Sequence, residues 1–91
     1  KTHIAVEYAL NGKRHREDGP AFVGFNGFLS WYKDGERHRE YGPAVIYSNG
    51  DKEWWVHGER HRLDGPAVEY SNGNKIWFEY GRFIKRKRKC T

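Results

Sequence analysis

The sequence predicts an all-β fold, an antiparallel β-hairpin meander of about seven strands forming a short, solenoid-like repeat sheet. Three observations predict it. One segment occurs three times at 23-residue spacing. It reads Gly12-Lys13-Arg14-His15-Arg16-Glu17-Asp18-Gly19-Pro20-Ala21, then Gly35-Glu36-Arg37-His38-Arg39-Glu40-Tyr41-Gly42-Pro43-Ala44, then Gly58-Glu59-Arg60-His61-Arg62-Leu63-Asp64-Gly65-Pro66-Ala67. A fixed period of this length marks stacked supersecondary units. The pairs Asn26-Gly27, Asn49-Gly50 and Asn72-Gly73 keep the same spacing between apolar-aromatic runs, the strongest short hairpin signal. No stretch sustains a 3.6-residue apolar period, so little or no helix is expected.

The elements follow in order. Residues 1–11 read as half a unit, with Tyr8 in the column later held by tryptophan. Full units span 12–34, 35–57 and 58–80, and a single repeat domain covers 1–84. Each full unit carries Trp31, Trp54 or Trp77, followed by Tyr32, Trp55 or Phe78, and the next glycine is Gly35, Gly58 or Gly81. Residues 85–91 form a basic tail. Within a unit, Asn-Gly as a type I′ turn places Tyr47 opposite Lys52, Ile46 opposite Glu53, Val45 opposite Trp54 and Ala44 opposite Trp55. Strand alternation then gives an apolar face of Trp31, Trp54, Trp77, Val45, Tyr47, Val68 and Tyr70, the expected core. The opposite face is mixed and keeps the column Tyr32, Trp55, Phe78. The Arg-His-Arg segments read as connectors, and Gly-Pro-Ala restarts a strand, because the residue before proline is pushed to extended geometry.

A chain of 91 residues fits one domain. A single sheet buries little surface, so the apolar face calls for curvature, a second copy or a partner to cover it. The net charge is +5, and Lys85, Arg86, Lys87, Arg88 and Lys89 account for all of it, leaving a neutral body. The connector arginines have Glu17, Asp18, Glu36, Glu40, Glu59 and Asp64 beside them for local pairing.

The residues predict no enzyme, no catalytic residue, no cofactor and no metal. His15, His38 and His61 recur, but equivalent positions two strands apart are about 9.5 Å from one another, too far to share an ion held at about 2 Å. Each is expected to bond the backbone of its own connector. His3 and His57 are isolated. Cys90 is a lone thiol that permits no internal disulfide, which fits a reducing cytoplasm. No leader and no run of about 20 apolar residues is read, so no transmembrane segment is expected.

The 23-residue hairpin with its His-Arg-x-x-Gly-Pro-Ala, Asn-Gly and Trp signature resembles MORN-type repeats, in a variant familiar from phage and bacterial proteins. The resemblance covers roughly residues 2–82. It implies a scaffold, a lipid or protein binder, or an antitoxin-like partner. The expected function is therefore a small non-enzymatic binding module, a phage or bacterial protein that inhibits or modulates a host protein complex in the host cytoplasm. Its partner-binding residues are Tyr32, Trp55 and Phe78 with Arg37 and Arg60, since aromatics and arginine anchor interfaces. The first alternative is a nucleic-acid binder using Lys85–Lys89, the Arg-His-Arg edge and the aromatic column. The second is a structural protein resting on an anionic membrane surface. A homodimer through the apolar face is a further candidate.

Overall fold

Turn dipeptides interrupt this chain so often that its strands stay very short. The computed structural model describes residues 5–89. The strands are β1 (Val6–Glu7), β2 (Ala9–Leu10), β3 (Lys13–Arg14), β4 (Phe22–Val23), β5 (Leu29–Ser30), β6 (Tyr32–Lys33), β7 (Glu36–Arg37), β8 (Val45–Ile46), β9 (Lys52–Glu53), β10 (Trp55–Val56), β11 (Glu59–Arg60), β12 (Val68–Glu69), β13 (Lys75–Glu79) and β14 (Arg82–Lys87). Eight form one antiparallel sheet in the order β1-β4-β5-β8-β9-β12-β13-β14, and the others form the hairpins β2–β3, β6–β7 and β10–β11. The all-β antiparallel class is the one the sequence predicts. The second row of hairpins is not in that reading, which treated the Arg-His-Arg segments as connectors.

The turns explain the difference. Outside the main-sheet pair Asn26-Gly27, two successive residues at positive φ, the type I′ signature, fall at Asn11-Gly12, Asp34-Gly35, His57-Gly58 and Tyr80-Gly81. These pairs make the second row. In the main sheet Asn26 and Gly27 both take positive φ, at 58° and 87°, whereas in the next two pairs only Gly50 and Gly73 do, at 97° and 99°. The Asn49 and Asn72 side chains instead accept the backbone N–H of Asp51 and Asn74, both at 2.9 Å. Tyr47 N–H donates to Asp51 O at 2.9 Å, so the loop has three residues rather than two. Val45 therefore lies opposite Glu53 and Ile46 opposite Lys52. The predicted register is wrong by one residue, and such a slip exchanges the faces of a strand.

Successive hairpins of the second row are bonded to one another. Gly35, Gly58 and Gly81 donate N–H groups to Arg14 O, Arg37 O and Arg60 O at 2.8, 2.9 and 2.8 Å. Arg16, Arg39 and Arg62 donate theirs to Tyr32 O, Trp55 O and Phe78 O. The principal extents are 41 × 33 × 16 Å. So thin a slab hides only small side chains completely. The buried apolar residues are Ala21, Ala44, Val45, Ala67 and Val68.

The predicted core is corrected accordingly. Val45 and Val68 are buried, but Trp31, Trp54, Trp77 and Tyr47 are only half-buried. Tyr70 is 40% exposed and borders an open pocket with Tyr47. The line across the sheet runs Phe22, Ser30, Val45, Glu53, Val68 and Ile76. A buried carboxylate thus takes the place expected for an indole. Glu53 accepts from Trp55 Nε1 at 2.8 Å and from Arg60 at 3.3 Å.

The basic run does not begin outside the fold. Lys85, Arg86 and Lys87 belong to β14 and pair with Trp77, Ile76 and Lys75. A bulge leaves Ile84 unopposed between the Trp77–Lys85 and Phe78–Phe83 pairs. The outer part of β14 completes the main sheet and its first residues complete the second row. The domain boundary drawn at residue 84 therefore falls inside a strand. His3, Cys90 and the extreme ends of the half unit and tail lie outside the described residues.

Arg60→Ala should destabilise the protein by about 1–3 kcal/mol, the range for leaving a buried polar group short of a partner. Urea unfolding monitored by tryptophan fluorescence measures it. A loss below about 0.5 kcal/mol would mean that Glu53 does not depend on this guanidinium.

Candidate functional site

The second arginine of each Arg-His-Arg lies over the ring that opens its own hairpin. The guanidinium carbons of Arg16, Arg39 and Arg62 stand 4.0, 3.9 and 3.9 Å from the ring centroids of Tyr8, Trp31 and Trp54. Each guanidinium also donates to the proline carbonyl four residues on, Pro20, Pro43 or Pro66, at 3.2, 3.1 and 3.0 Å. A Cβ on Gly19, Gly42 or Gly65 would come within 3.1, 3.0 or 2.9 Å of the guanidinium carbon. The recurring Arg-x-x-Gly-Pro is thus one device: an arginine planted on a ring, a glycine that leaves it room, and a carbonyl that holds it. Arg16–Asp18 and Arg62–Asp64 add the expected local ion pairs at 3.1 and 3.2 Å.

The histidines tie one second-row hairpin to the next rather than bonding the backbone of their own connector, and His15 Nε2 also meets Glu17 Oε2 at 3.3 Å. Backbone N–H groups of His15, His38 and His61 donate to Tyr8 O, Trp31 O and Trp54 O. Their Nδ1 atoms accept the N–H of Asp34, His57 and Tyr80 at 3.0, 3.0 and 2.9 Å. Those donors are the positive-φ residues of the following turn. The His57 ring lies 4.4 Å from His38 and the Tyr80 ring 3.9 Å from His61. Stacking supports a backbone conformation that bulky residues rarely adopt. His57 is therefore not isolated. Burial, and then the neighbouring His57, hold His38 below its ordinary value of 6.5.

The predicted partner-binding residues do come together, but they face one another. Arg37 and Arg60 both lie 5.2 Å from the Trp55 ring, and Arg60 lies 5.5 Å from Phe78. Arg14 stands 4.7 Å from Phe22 and 5.3 Å from Tyr32. Tyr32, Trp55 and Phe78 are half-buried, with the chain's own cations packed against them. Burial raises the Tyr32 phenol, but hydrogen bonds to Arg37, Arg14 and Ser30 outweigh it and hold the group below its ordinary value.

The open surface is elsewhere. A groove of about 760 Å³ lies between the first two connector loops, lined by Arg16, Pro20, Trp31, Tyr32, Lys33, His38, Arg39 and Tyr41, among others. His38 is 8% exposed and its Nε2 has no hydrogen-bond partner, with Glu40 3.7 Å away. Tyr41 at the loop tip is 89% exposed, and Leu63 on the next loop is 69% exposed. The sequence reading passed over both. Their signal was present: the two residues between Arg-His-Arg and Gly-Pro change from Glu17-Asp18 to Glu40-Tyr41 to Leu63-Asp64 while the flanks recur.

The basic residues Lys85, Arg86, Lys87, Arg88 and Lys89 are all exposed. Lys85 lies 4.8 Å from the Trp77 ring, the place that arginine fills in earlier units. Among the described residues no group of three or more His, Cys, Asp or Glu is placed to hold a metal, and no helix is long and apolar enough to cross a membrane. No protein-family model, curated protein or solved structure matches the chain.

Gly65→Ala should cost about 1–3 kcal/mol by overpacking against Arg62, and in an Arg62→Ala background the cost should largely vanish. A double-mutant cycle from urea melts reads this coupling. Equal costs in both backgrounds would remove the glycine from the device. Acid should also loosen the array. His38 has a depressed folded value, so its contribution is complete above pH 6.5 and is lost as pH falls below 6.5 to the folded value. Asp51, held low chiefly by the Ser71 N–H, contributes above 3.8 and is lost below it. His38→Asn, which keeps an acceptor without a titration, should flatten the upper slope and leave the lower one; an unchanged upper slope would exclude His38 as its source.

Proposed function

We propose that the chain is a MORN-like repeat module that binds a macromolecular partner, a protein before any other, and carries out no chemistry of its own. One observation carries this reading. The recurring arginines and histidines are engaged within the chain, whereas the non-recurring Tyr41 and Leu63 stand exposed on neighbouring loop tips, Tyr41 at the rim of a groove. A scaffold that repeats its frame and varies its loop tips places recognition at those tips. Exposed aromatic side chains are the commonest interface anchors, and the unpartnered His38 Nε2 offers a donor inside the groove. The phage or bacterial setting, with a host complex as target in the cytoplasm, is what the MORN-type resemblance implies. The groove includes Tyr32 of the predicted partner-binding set; Trp55, Phe78, Arg37 and Arg60 serve the frame in this reading.

The exposed cations of β14 favour nucleic acid as the second reading. The two separate by photocrosslinking. A photoreactive amino acid at position 41 or 63 should give discrete protein adducts in the native host, and one at exposed Glu79 should not. Tyr41→Ala should weaken the captured complex by roughly thirtyfold, as for a hot spot of about 2 kcal/mol. Adducts to nucleic acid alone, or none at 41 and 63 with protein adducts at 79, would overturn the proposal.

A further inference from the structure

Among the described residues β14 is the longest strand, and it is an edge of the main sheet. It hydrogen-bonds to β13 alone, so the backbone groups on its other side are open for pairing. All six residues, Arg82–Lys87, are exposed. Earlier units leave the sheet at the equivalent point, since β11 ends at Arg60. Here the chain runs straight on and forms the edge of the main sheet opposite β1.

The charge on that edge selects its occupant. Arg82, Lys85, Arg86 and Lys87 lie on the strand and Lys89 follows it, with no acid after Glu79. Lysines on an edge strand are a device against unwanted pairing. A second copy of β14 would set cations against cations, which is unfavourable across a strand pair. An extended segment rich in Asp and Glu meets the opposite condition: its backbone completes the ladder and its carboxylates oppose the four cations. Phe83 and Ile84, both about half exposed, add apolar contact beside them.

We infer that β14 takes an acidic, extended peptide segment of a protein partner as an added strand. This rests on the binding-module reading and names the chemistry of the partner. It uses no residue of the loop-tip groove.

The test uses a blocked synthetic peptide alternating glutamate with valine and threonine. Three controls accompany it: the same peptide N-methylated at alternate residues, the peptide with lysine for glutamate, and single-stranded oligothymidylate of equal charge. Binding is read by fluorescence anisotropy, and amide exchange across residues 82–87 by NMR. The acidic peptide should bind and slow exchange in β14. N-methylation should weaken binding about tenfold or more, the effect of losing roughly 1.4 kcal/mol, and the lysine peptide should not bind. Arg86→Glu with Lys87→Glu should reverse the preference between the two peptides. Equal binding of the methylated peptide, or tighter binding of oligothymidylate without protection of β14, would overturn strand addition. If β14 shows no protection while the adducts at 41 and 63 persist, the strand contact fails alone. If the adducts are lost as well, the module reading fails with it.

Discussion

A guanidinium resting on an aromatic ring is the interaction on which this molecule depends. The slab is too thin to bury large side chains on both faces, so its rings need a cover that tolerates water on its outer side. Arginine provides one. Its plane matches the ring, it is weakly hydrated for a cation, and its remaining N–H groups reach a nearby carbonyl. Arg16, Arg39 and Arg62 do this on the rings that open the second-row hairpins. Arg14, Arg37 and Arg60 do it on the rings of the second row. The neighbouring glycines and prolines follow from the same need, one leaving space and the other presenting the carbonyl.

The interlocking also orders the frame along its length. Each histidine accepts from the turn of the second-row hairpin after its own, and each arginine backbone bonds that same hairpin. Contacts pass from neighbour to neighbour rather than through a shared centre, as in other stacked arrays. At the far end Lys85 replaces the stacked arginine on Trp77, and β14 covers the exposed side of both rows. The recognition we propose is then left to positions outside the frame, the loop tips and the free edge.

Much of the fold class was legible, because the 23-residue period and the Asn-Gly pairs are local signals that survive in three dimensions. The register was not. Asn49 can take positive φ or bond forward to Asp51 with its side chain, and the dipeptide is the same in both cases; the second outcome adds a loop residue and exchanges the faces. The second row was hidden because His57-Gly58 and Tyr80-Gly81 are poor turn signals on their own. Ring contact with His38 and His61, made between successive second-row hairpins, makes those turns tenable. Composition marked the lysines after Ile84 as a tail, yet backbone pairing with β13 continues through them. The aromatic column was found, but its partners proved to be arginines of the same chain. Tyr41 and Leu63 were visible only as departures from the repeat, a signal that a search for recurrence discards.

The shallow interior has a thermal consequence. Among the described residues, complete burial falls to three alanines and two valines beside Ser30, His38 and Glu53. Exposing apolar surface raises the heat capacity of the unfolded chain, and exposing polar surface lowers it. With little of the first and a substantial share of the second, unfolding carries a small heat-capacity increment for a chain of this length. The curve of free energy against temperature is correspondingly flat, and stability changes slowly between cold and warm conditions.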